Sequence, residues 1–464
     1  MNLFSKLRER EASGRPLRVG LIGAGKFGSM YLAQVPRTPG IHLVGIADLS
    51  PANARANLAR VDWPGERYSA PSLDDAVKMK TTHVGDDWQA LVAHPEIGII
   101  IECTGNPPAA VEHALAAFRH GKHVINVTVE ADAFCGPLLA HKAAQAGVIY
   151  SLAYGDQPGL ACELVDWART AGFPVVAAGR GHKWLPQYRE STPDTVWIHW
   201  GLTAEQAREG GLNPKMFNAF LDGSKPAIES AAIANATGLE APDAGLSFPP
   251  GSIDDIPTLM RPKSEGGILD RKGLVEVVSC LTTDGVQIPY DIRKGVWVCI
   301  EADTDYIRRC FKEYSVVTDP DGRYMSMYRR WHMIGLELGI SVASVGLRNE
   351  PTGVATCFNA DVVATAKRDL APGEMLDGEG GYTVFGKLVP AQRSLAQGGL
   401  PLGLAHHLKL LRPVGKDQLL TWSDVALDET LPAVKARKDM EAIFAPRGTV
   451  VSAAWGGWAG TVVS

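Results

Sequence analysis

Leu17-Arg18-Val19-Gly20-Leu21-Ile22-Gly23-Ala24-Gly25-Lys26-Phe27-Gly28 decides the fold of the first third of the chain. Leu17–Ile22 is the short apolar run of a strand buried on both faces. It passes directly into a GxGxxG spacing, and a helical pattern follows at Phe27, Met30, Tyr31 and Gln34. A second apolar run, His42–Ile46, ends near Asp48, 20 residues beyond Gly28. Glycines at this spacing are weak evidence alone. With a strand before them, a helix after them and an acid at this distance, they form the whole dinucleotide-binding pattern. Gly23 permits the tight turn, Gly25 lets a pyrophosphate approach the backbone, and Gly28 lets the helix pack closely on the strand. The N–H groups at the helix start, among Gly23, Ala24, Gly25, Lys26, Phe27 and Gly28, then face phosphate charge. The competing reading is a glycine-rich turn with no ligand.

Alternation continues outward. Trp88–Ala93 reads as helix, Ile97–Glu102 as strand, Ala109–His120 as helix, His123–Val127 as strand, Asp132–Ala146 as helix and Val148–Leu152 as strand. This predicts an α/β fold with a doubly wound parallel sheet. Ligands sit beyond the carboxyl ends of such strands, which places Thr104 and Gly105 near the nicotinamide half. Asp48 suits an adenosine ribose diol and repels a phosphate, which favours NAD(H). Arg55, one turn into the next helix, either reaches a phosphate or is a solvated surface residue. The Val61–His83 segment reads as an interruption, a lid or a surface insertion.

The chain has 464 residues, enough for two to four domains. Apolar residues make up 45% and charged residues 21%, the balance of a globular protein rather than a disordered or fibrous one. The net charge of −5, without a long basic run, disfavours a nucleic-acid or anionic-membrane partner. No apolar stretch is long enough to span a bilayer. Seven widely spaced cysteines with no CxxC pair argue against a disulfide framework or a zinc site, and free thiols point to the cytoplasm. The start reads as a short charged helix without the apolar core of a signal peptide. Gly448–Ser464 reads as a loose or intermolecularly packed tail.

The chemistry is expected in the middle. Gly155-Asp156-Gln157-Pro158-Gly159 reads as a helix start, with the helix running Leu160–Thr170. Val175–Ala178 reads as a strand leading into Gly179-Arg180-Gly181-His182-Lys183-Trp184, a basic strand end suited to a phosphate or carboxylate, or simply a basic surface loop. Lys183 is a candidate to polarise a carbonyl. Glu301, Asp303 and Asp305 follow the strand Trp297–Ile300. They are either a hard-cation site or, more simply, the approach to a helix Asp305–Tyr314 capped by Thr304. In Tyr328-Arg329-Arg330-Trp331-His332, His332 is either an acid/base or a structural histidine. No GxSxG, HExxH, P-loop or EF-hand pattern is present.

The last third reads as short strands with Gly/Pro turns. Arg368-Asp369-Leu370, Gly373-Glu374-Met375-Leu376, Leu400-Pro401-Leu402-Gly403-Leu404 and Asp424-Val425 resemble the SAF domain, a small β-clip module. A homoserine-dehydrogenase-like Rossmann domain joined to such a module resembles the deoxyxylulose-phosphate reductoisomerase-like family over roughly Arg15 to Val425. The residues carrying this likeness are Gly20–Gly28, Glu102–Gly105, Gly155–Gly159, Gly179–Lys183, His332–Glu337 and Asp377–Gly386. The resemblance implies an NADPH-dependent enzyme that converts 1-deoxy-D-xylulose 5-phosphate into 2-C-methyl-D-erythritol 4-phosphate in isoprenoid precursor synthesis. It departs from conventional reductoisomerases in nucleotide loop and metal motif. Thr128-Val129-Glu130 stands where homoserine dehydrogenases have an Asn-Lys pair and where a sugar-oxidoreductase family has Glu-Lys-Pro.

The expected domains are residues 1–153 for dinucleotide binding, 154–350 for an α+β substrate and dimerisation domain, 351–430 for the SAF-like β module and 431–464 for an extension. Lys183, Asp156 and His332 are the candidate catalytic residues. Arg180, Arg329 and Gln157 are the candidate substrate-binding residues, with Arg180 and Arg329 as a phosphate clamp. A divalent cation such as Mg²⁺ is compatible with the chemistry but has no assigned ligands, and a homodimer is expected by analogy. The alternatives are an NAD(P)-dependent dehydrogenase of another hydroxy acid or polyol phosphate, and a cofactor-binding sensor without turnover.

Overall fold

The computed structural model describes residues 2–445; the Gly448–Ser464 stretch lies outside them. Six strands form the first sheet: β1 Leu17–Ile22, β2 Ile41–Ala47, β3 His83–Gly85, β4 Ile99–Glu102, β5 His123–Asn126 and β6 Tyr150–Leu152. All neighbours pair in parallel, in the order β3-β2-β1-β4-β5-β6. This is the doubly wound order, whose switch point lies between β1 and β4. Ile99, Ile100 and Ile101 are almost wholly buried because helices cover both faces of the sheet.

The Val61–His83 segment is not an insertion. It holds the helix Leu73–Met79, with Ser72 accepting from Asp75 N, and delivers His83 to β3, the sheet's edge strand. A strand of three residues around Val84 is too short to show a period, so its Gly and Pro neighbours hid it.

A second sheet follows, with β7 Val175–His182, β8 Leu274–Ser279, β9 Val296–Glu301 and β10 Tyr324–Arg329 in the order β10-β9-β7-β8. β7 continues four residues past Ala178. The expectation that Gly179–His182 forms an exposed strand end is therefore corrected. Gly179 and Gly181 lie inside the sheet, where a Cβ would strike the Glu276 and Ile292 carbonyls. The glycines serve close backbone approach within a strand rather than a turn.

The last strands are β11 Ala360–Ala366, β12 Met375–Asp377, β13 Val384–Pro390, β14 His406–Leu410 and β15 Val425–Ala426. β11 and β13 pair antiparallel over seven residues, and β12, β14 and β15 form a separate small sheet. The helix Ser224–Thr237 joins the parts. It packs against the Val129–Gln145 helix, against β7 and β8, and against β11 and β13. Its SKPAIESAAIANAT sequence is almost entirely buried, and its alanines allow that close approach. The Pro432–Phe444 helix is likewise no loose extension; it packs on the Val129–Gln145 and Pro107–Arg119 helices. Among the described residues, no helix is long and apolar enough to cross a membrane.

Asp132 is fully buried in the Val129–Gln145 helix, where its carboxyl lies over Gly136 and near the Tyr150 hydroxyl. Burial pushes its pKa up to about 7. The folded state therefore holds a proton that the unfolded chain releases, and stability falls as pH rises from about 4 to about 7. Asp132→Asn is expected to stabilise the fold by about 1–2 kcal/mol at pH 8, because an uncharged amide keeps part of the polar burial cost. The gain should vanish at pH 4.5. A gain equal at both pH values in thermal denaturation would contradict this.

Candidate active site

The nucleotide loop has the expected shape. Gly23 has φ +89°, and a Cβ there would lie 2.7 Å from the Cys103 carbonyl oxygen. A Cβ on Gly28 would lie 2.6 Å from the Gly23 oxygen. Gly25 has nothing within 4 Å of where its Cβ would be. The loop is thus closed behind and open in front, as a pyrophosphate requires. Gly25 and Lys26 are exposed in that opening, and Gly25 precedes the first turn of the Lys26–Gln34 helix. These residues fit a dinucleotide.

Asp48 stands at the end of β2. It accepts from Ala24 N at 2.8 Å and from Ser50 N at 2.9 Å, which fixes its carboxylate beside the loop. Arg55 donates to the Tyr68 oxygen at 3.0 Å and the Val84 oxygen at 3.1 Å, so its guanidinium braces the β3 edge. Asp48→Ser is expected to lower the ratio of NADPH to NADH dissociation constants at least tenfold, by removing the charge that opposes a 2′-phosphate. An unchanged ratio in fluorescence titrations would contradict that role.

At the ends of β4 and β5 the buried Glu102 organises the turn. Its Oε1 accepts from Thr104 Oγ1 at 2.5 Å and Thr104 N at 3.2 Å, and its Oε2 accepts from Thr128 Oγ1. Thr128 Oγ1 in turn accepts from Gly105 N at 3.0 Å. Thr104 and Gly105 are exposed beyond the strand ends, where a nicotinamide would lie.

Next to this turn the three parts of the chain converge. Glu130 opens the Val129–Gln145 helix and is ion-paired with Lys225 of the Ser224–Thr237 helix. Asp156 is buried at the N-cap of the Gln157–Thr170 helix and accepts from Gln157 N at 2.9 Å. Glu379 comes from the loop between β12 and β13. That loop is held by Asp377, which accepts from Tyr382 N at 2.6 Å and Thr383 N at 3.0 Å, and by Asn218 donating to the Gly380 oxygen at 2.9 Å. Burial lowers the proton affinity of Lys225, but Glu130, Glu379 and Asp156 outweigh it, so its pKa is raised and it stays charged. Burial raises Asp156, against the pull of Lys225. Burial and the nearby Glu130 push Glu379 up to about 8, which keeps it protonated at neutral pH. One charged lysine thus faces carboxyl groups of which not all are ionised, an arrangement suited to proton transfer.

The predicted residues divide into two groups. Asp156 and Gln157 lie in the cluster; Gln157 donates from Nε2 to the Gly295 oxygen at 2.9 Å. His332 is half-buried beside it, and its Nδ1 donates to the Lys294 oxygen at 2.7 Å. Burial lowers its pKa to about 4, so it is neutral at physiological pH, with Nε2 free to accept a hydrogen bond. Arg180 and Arg329 form no open clamp. Arg180 is 3% exposed within β7, ion-paired with Glu229 and 3.3 Å from His182 Nδ1. Arg329 is ion-paired with Glu337 and donates to the Tyr154 hydroxyl at 3.1 Å. Lys183 donates to the His199 oxygen at 2.6 Å and lies 5.5 Å from the Trp200 ring centroid.

Arg293 and Lys294 lie on the loop before β9, beside His332, and the Arg293 guanidinium lies 5.4 Å from the Trp200 ring centroid. Desolvation of its ammonium, with Arg293, Arg180 and Lys26 nearby, lowers the pKa of Lys294. Sequence reasoning missed this pair along with Lys225, Glu130 and Glu379. Two adjacent cations before Gly295, at the start of an apolar run, were the available signal. Glu301 makes ion pairs with Lys272 at 2.8 Å and with Arg323, while Thr304 caps the Asp305–Glu313 helix by accepting from Ile307 N at 3.2 Å. The capping reading holds. Among the described residues, no group of three or more His, Cys, Asp or Glu is arranged to hold a metal ion. All seven cysteines are free.

Comparison with known proteins agrees with this division. Residues 17–126 match a family model described as "Oxidoreductase family, NAD-binding Rossmann fold". Residues 155–338 match "Oxidoreductase DRL, catalytic domain". No curated protein matches the chain. Among solved structures, the chain spans under half of an NAD binding oxidoreductase from Klebsiella pneumoniae, at 21% identity, 36% coverage of this chain, 43% of that one and a TM-score of 0.26. A homoserine dehydrogenase from Thiobacillus denitrificans is 15% identical over 72% of this chain and 74% of that one, with a TM-score of 0.42. A DOX-P reductoisomerase solved with fosmidomycin and magnesium is 14% identical over 48% and 58%, with a TM-score of 0.32. The glycine loop open for a pyrophosphate agrees with the match of residues 17–126 to an NAD-binding Rossmann fold, and residues 155–338 are similar to an oxidoreductase catalytic domain.

Proposed function

We propose that the chain is an NAD(P)H-dependent oxidoreductase that reduces a phosphorylated carbonyl substrate, and that the reaction is the reductive isomerisation of 1-deoxy-D-xylulose 5-phosphate to 2-C-methyl-D-erythritol 4-phosphate. The observation that carries the reading is the meeting of Lys225, Glu130, Asp156 and Glu379 beside the nicotinamide end of the first sheet. The match of residues 155–338 to the DRL catalytic domain supports the substrate.

The dinucleotide, held by Gly23–Gly28, Asp48, Thr104 and Gly105, supplies the hydride. Arg293 and Lys294 hold the phosphate. Lys225 points its ammonium at the substrate oxygen and offsets negative charge there as the carbonyl is reduced. Glu379 holds a proton at neutral pH and donates it to the forming hydroxyl. Asp156 accepts the proton that leaves a substrate hydroxyl as the carbon–carbon bond breaks and returns it to the alkoxide formed as the new bond closes, while neutral His332 accepts a hydrogen bond at Nε2. A divalent cation, if bound, would polarise the substrate carbonyl as a Lewis acid, though among the described residues no group of three or more His, Cys, Asp or Glu is arranged to hold it. Asp48 and the engaged Arg55 favour NADH over the NADPH that the family resemblance implies.

The test is purified protein with Mg²⁺, 1-deoxy-D-xylulose 5-phosphate, and NADH or NADPH in parallel. Nicotinamide absorbance is followed and the product identified by mass and NMR. Substrate-dependent oxidation with methylerythritol phosphate as product is expected. Cofactor binding without oxidation would overturn the isomerisation and leave a plain dehydrogenase of another hydroxy acid or polyol phosphate.

A further inference from the structure

A cavity of about 220 Å³ lies between the middle of the chain and the C-terminal strands, apart from the cleft described above. Arg189 and Lys387 line it, with Gly223, Phe248, Phe385 and Asp417. The Arg189 guanidinium lies 4.5 Å from the Phe385 ring centroid and 5.4 Å from that of Trp184. Two rings thus hold the plane of the fork without using its N–H groups. The carboxylates facing Arg189 are Asp222 and Asp417. Asp222 is taken by Lys367 at 2.7 Å. Lys387 faces Arg393, Arg189 and Asp417, and among the described residues neither Lys387 nor Arg189 makes a side-chain hydrogen bond or ion pair.

The backbone closes around both cations. A Cβ on Gly223 would lie 3.5 Å from Arg189 Nη1, and one on Gly245 would lie 3.4 Å from Lys387 Cε. Burial lowers the proton affinity of each cation. Two partly desolvated like charges set against one exposed carboxylate are costly unless an anion completes them.

We infer that this cavity binds a small molecule carrying an oxyanion, phosphate or carboxylate, on an apolar body. The oxyanion is held by Arg189 and Lys387, and the body lies against Leu246 and Phe248. The site is separate from the candidate cluster. At 3.6 residues per turn, Ala227, which lines the cavity, faces away from Lys225 on the Ser224–Thr237 helix.

The test is calorimetric titration of the full chain with inorganic phosphate and, separately, with isobutyrate. The native protein is compared with Arg189→Met, Lys387→Met and Arg293→Ala, and NADH binding verifies that each variant is folded. One equivalent of at least one probe is expected to bind native protein and Arg293→Ala alike. Binding should weaken at least tenfold in both Arg189→Met and Lys387→Met. Phosphate binding or isobutyrate binding identifies which oxyanion the site takes. The inference is overturned if neither probe binds, if the cavity variants bind like native protein, or if Arg293→Ala alone abolishes binding.

Discussion

Lys225→Met is expected to lower kcat about 10³-fold while leaving the dissociation constant of the dinucleotide within twofold of native. Positioned proton donors and charge stabilisers contribute about 10²–10⁴-fold, and this lysine faces Glu130, Glu379 and Asp156. It is contributed by the Ser224–Thr237 helix, away from the glycine loop, so cofactor affinity is spared. The substitution has a second signature that needs no substrate. Without the ammonium, Asp156 and Glu379 lose the positive charge that opposes their burial, and their folded-state pKa values rise further above those of the unfolded chain. A raised carboxyl pKa lowers stability as pH climbs from the unfolded value to the folded one. The melting-temperature deficit of Lys225→Met should therefore be larger at pH 8 than at pH 5. A loss of turnover below tenfold, or a deficit independent of pH, would remove Lys225 from the mechanism.

The first sheet was legible because each of its signals is local. Gly23, Gly25, Gly28 and Asp48 lie within one βαβ unit, and their spacing is itself the physical requirement. The candidate cluster was legible only in part. Asp156 and Gln157 announce a helix start, but Glu130, Lys225 and Glu379 are 95 and 154 residues apart along the chain, as 225 − 130 and 379 − 225. Nothing local marks an isolated lysine in an alanine-rich helix as the partner of a glutamate in another sheet's crossover. The end of β5, Thr128-Val129-Glu130, lacks a lysine in sequence; the fold returns one in space through Lys225. The same limit explains Arg180 and Arg329. Their types suited a phosphate, but Glu229 and Glu337 occupy them, and which acid a given arginine meets is set by packing. Glycines misled in the opposite direction at Gly179 and Gly181, where tight sheet packing looks like turn chemistry.

Arg437→Met is expected to cost about 3–5 kcal/mol, read as a lower midpoint in urea denaturation followed by tryptophan fluorescence. Arg437 is fully buried in the Pro432–Phe444 helix. Its guanidinium donates to Asp361 Oδ2 at 2.5 Å and Oδ1 at 3.1 Å, to the Phe134 oxygen at 2.9 Å, and to Glu441 Oε1 at 2.8 Å. These groups hold together the last helix, β11 and the Val129–Gln145 helix that carries Glu130. Asp361 also accepts from Ser394 Oγ at 2.5 Å and Val362 N at 2.9 Å, so its charge stays buried when the arginine is removed. The stranded carboxylate accounts for most of the cost, which separates this pair from surface ion pairs worth under about 1 kcal/mol. Arg437→Met combined with Asp361→Asn should therefore recover at least half of the loss, since the amide removes the charge and keeps the Ser394 contact. Additive losses in the double variant would show that the arginine acts through packing alone. A single-variant loss under about 1 kcal/mol would show that the helix is not fastened through this pair.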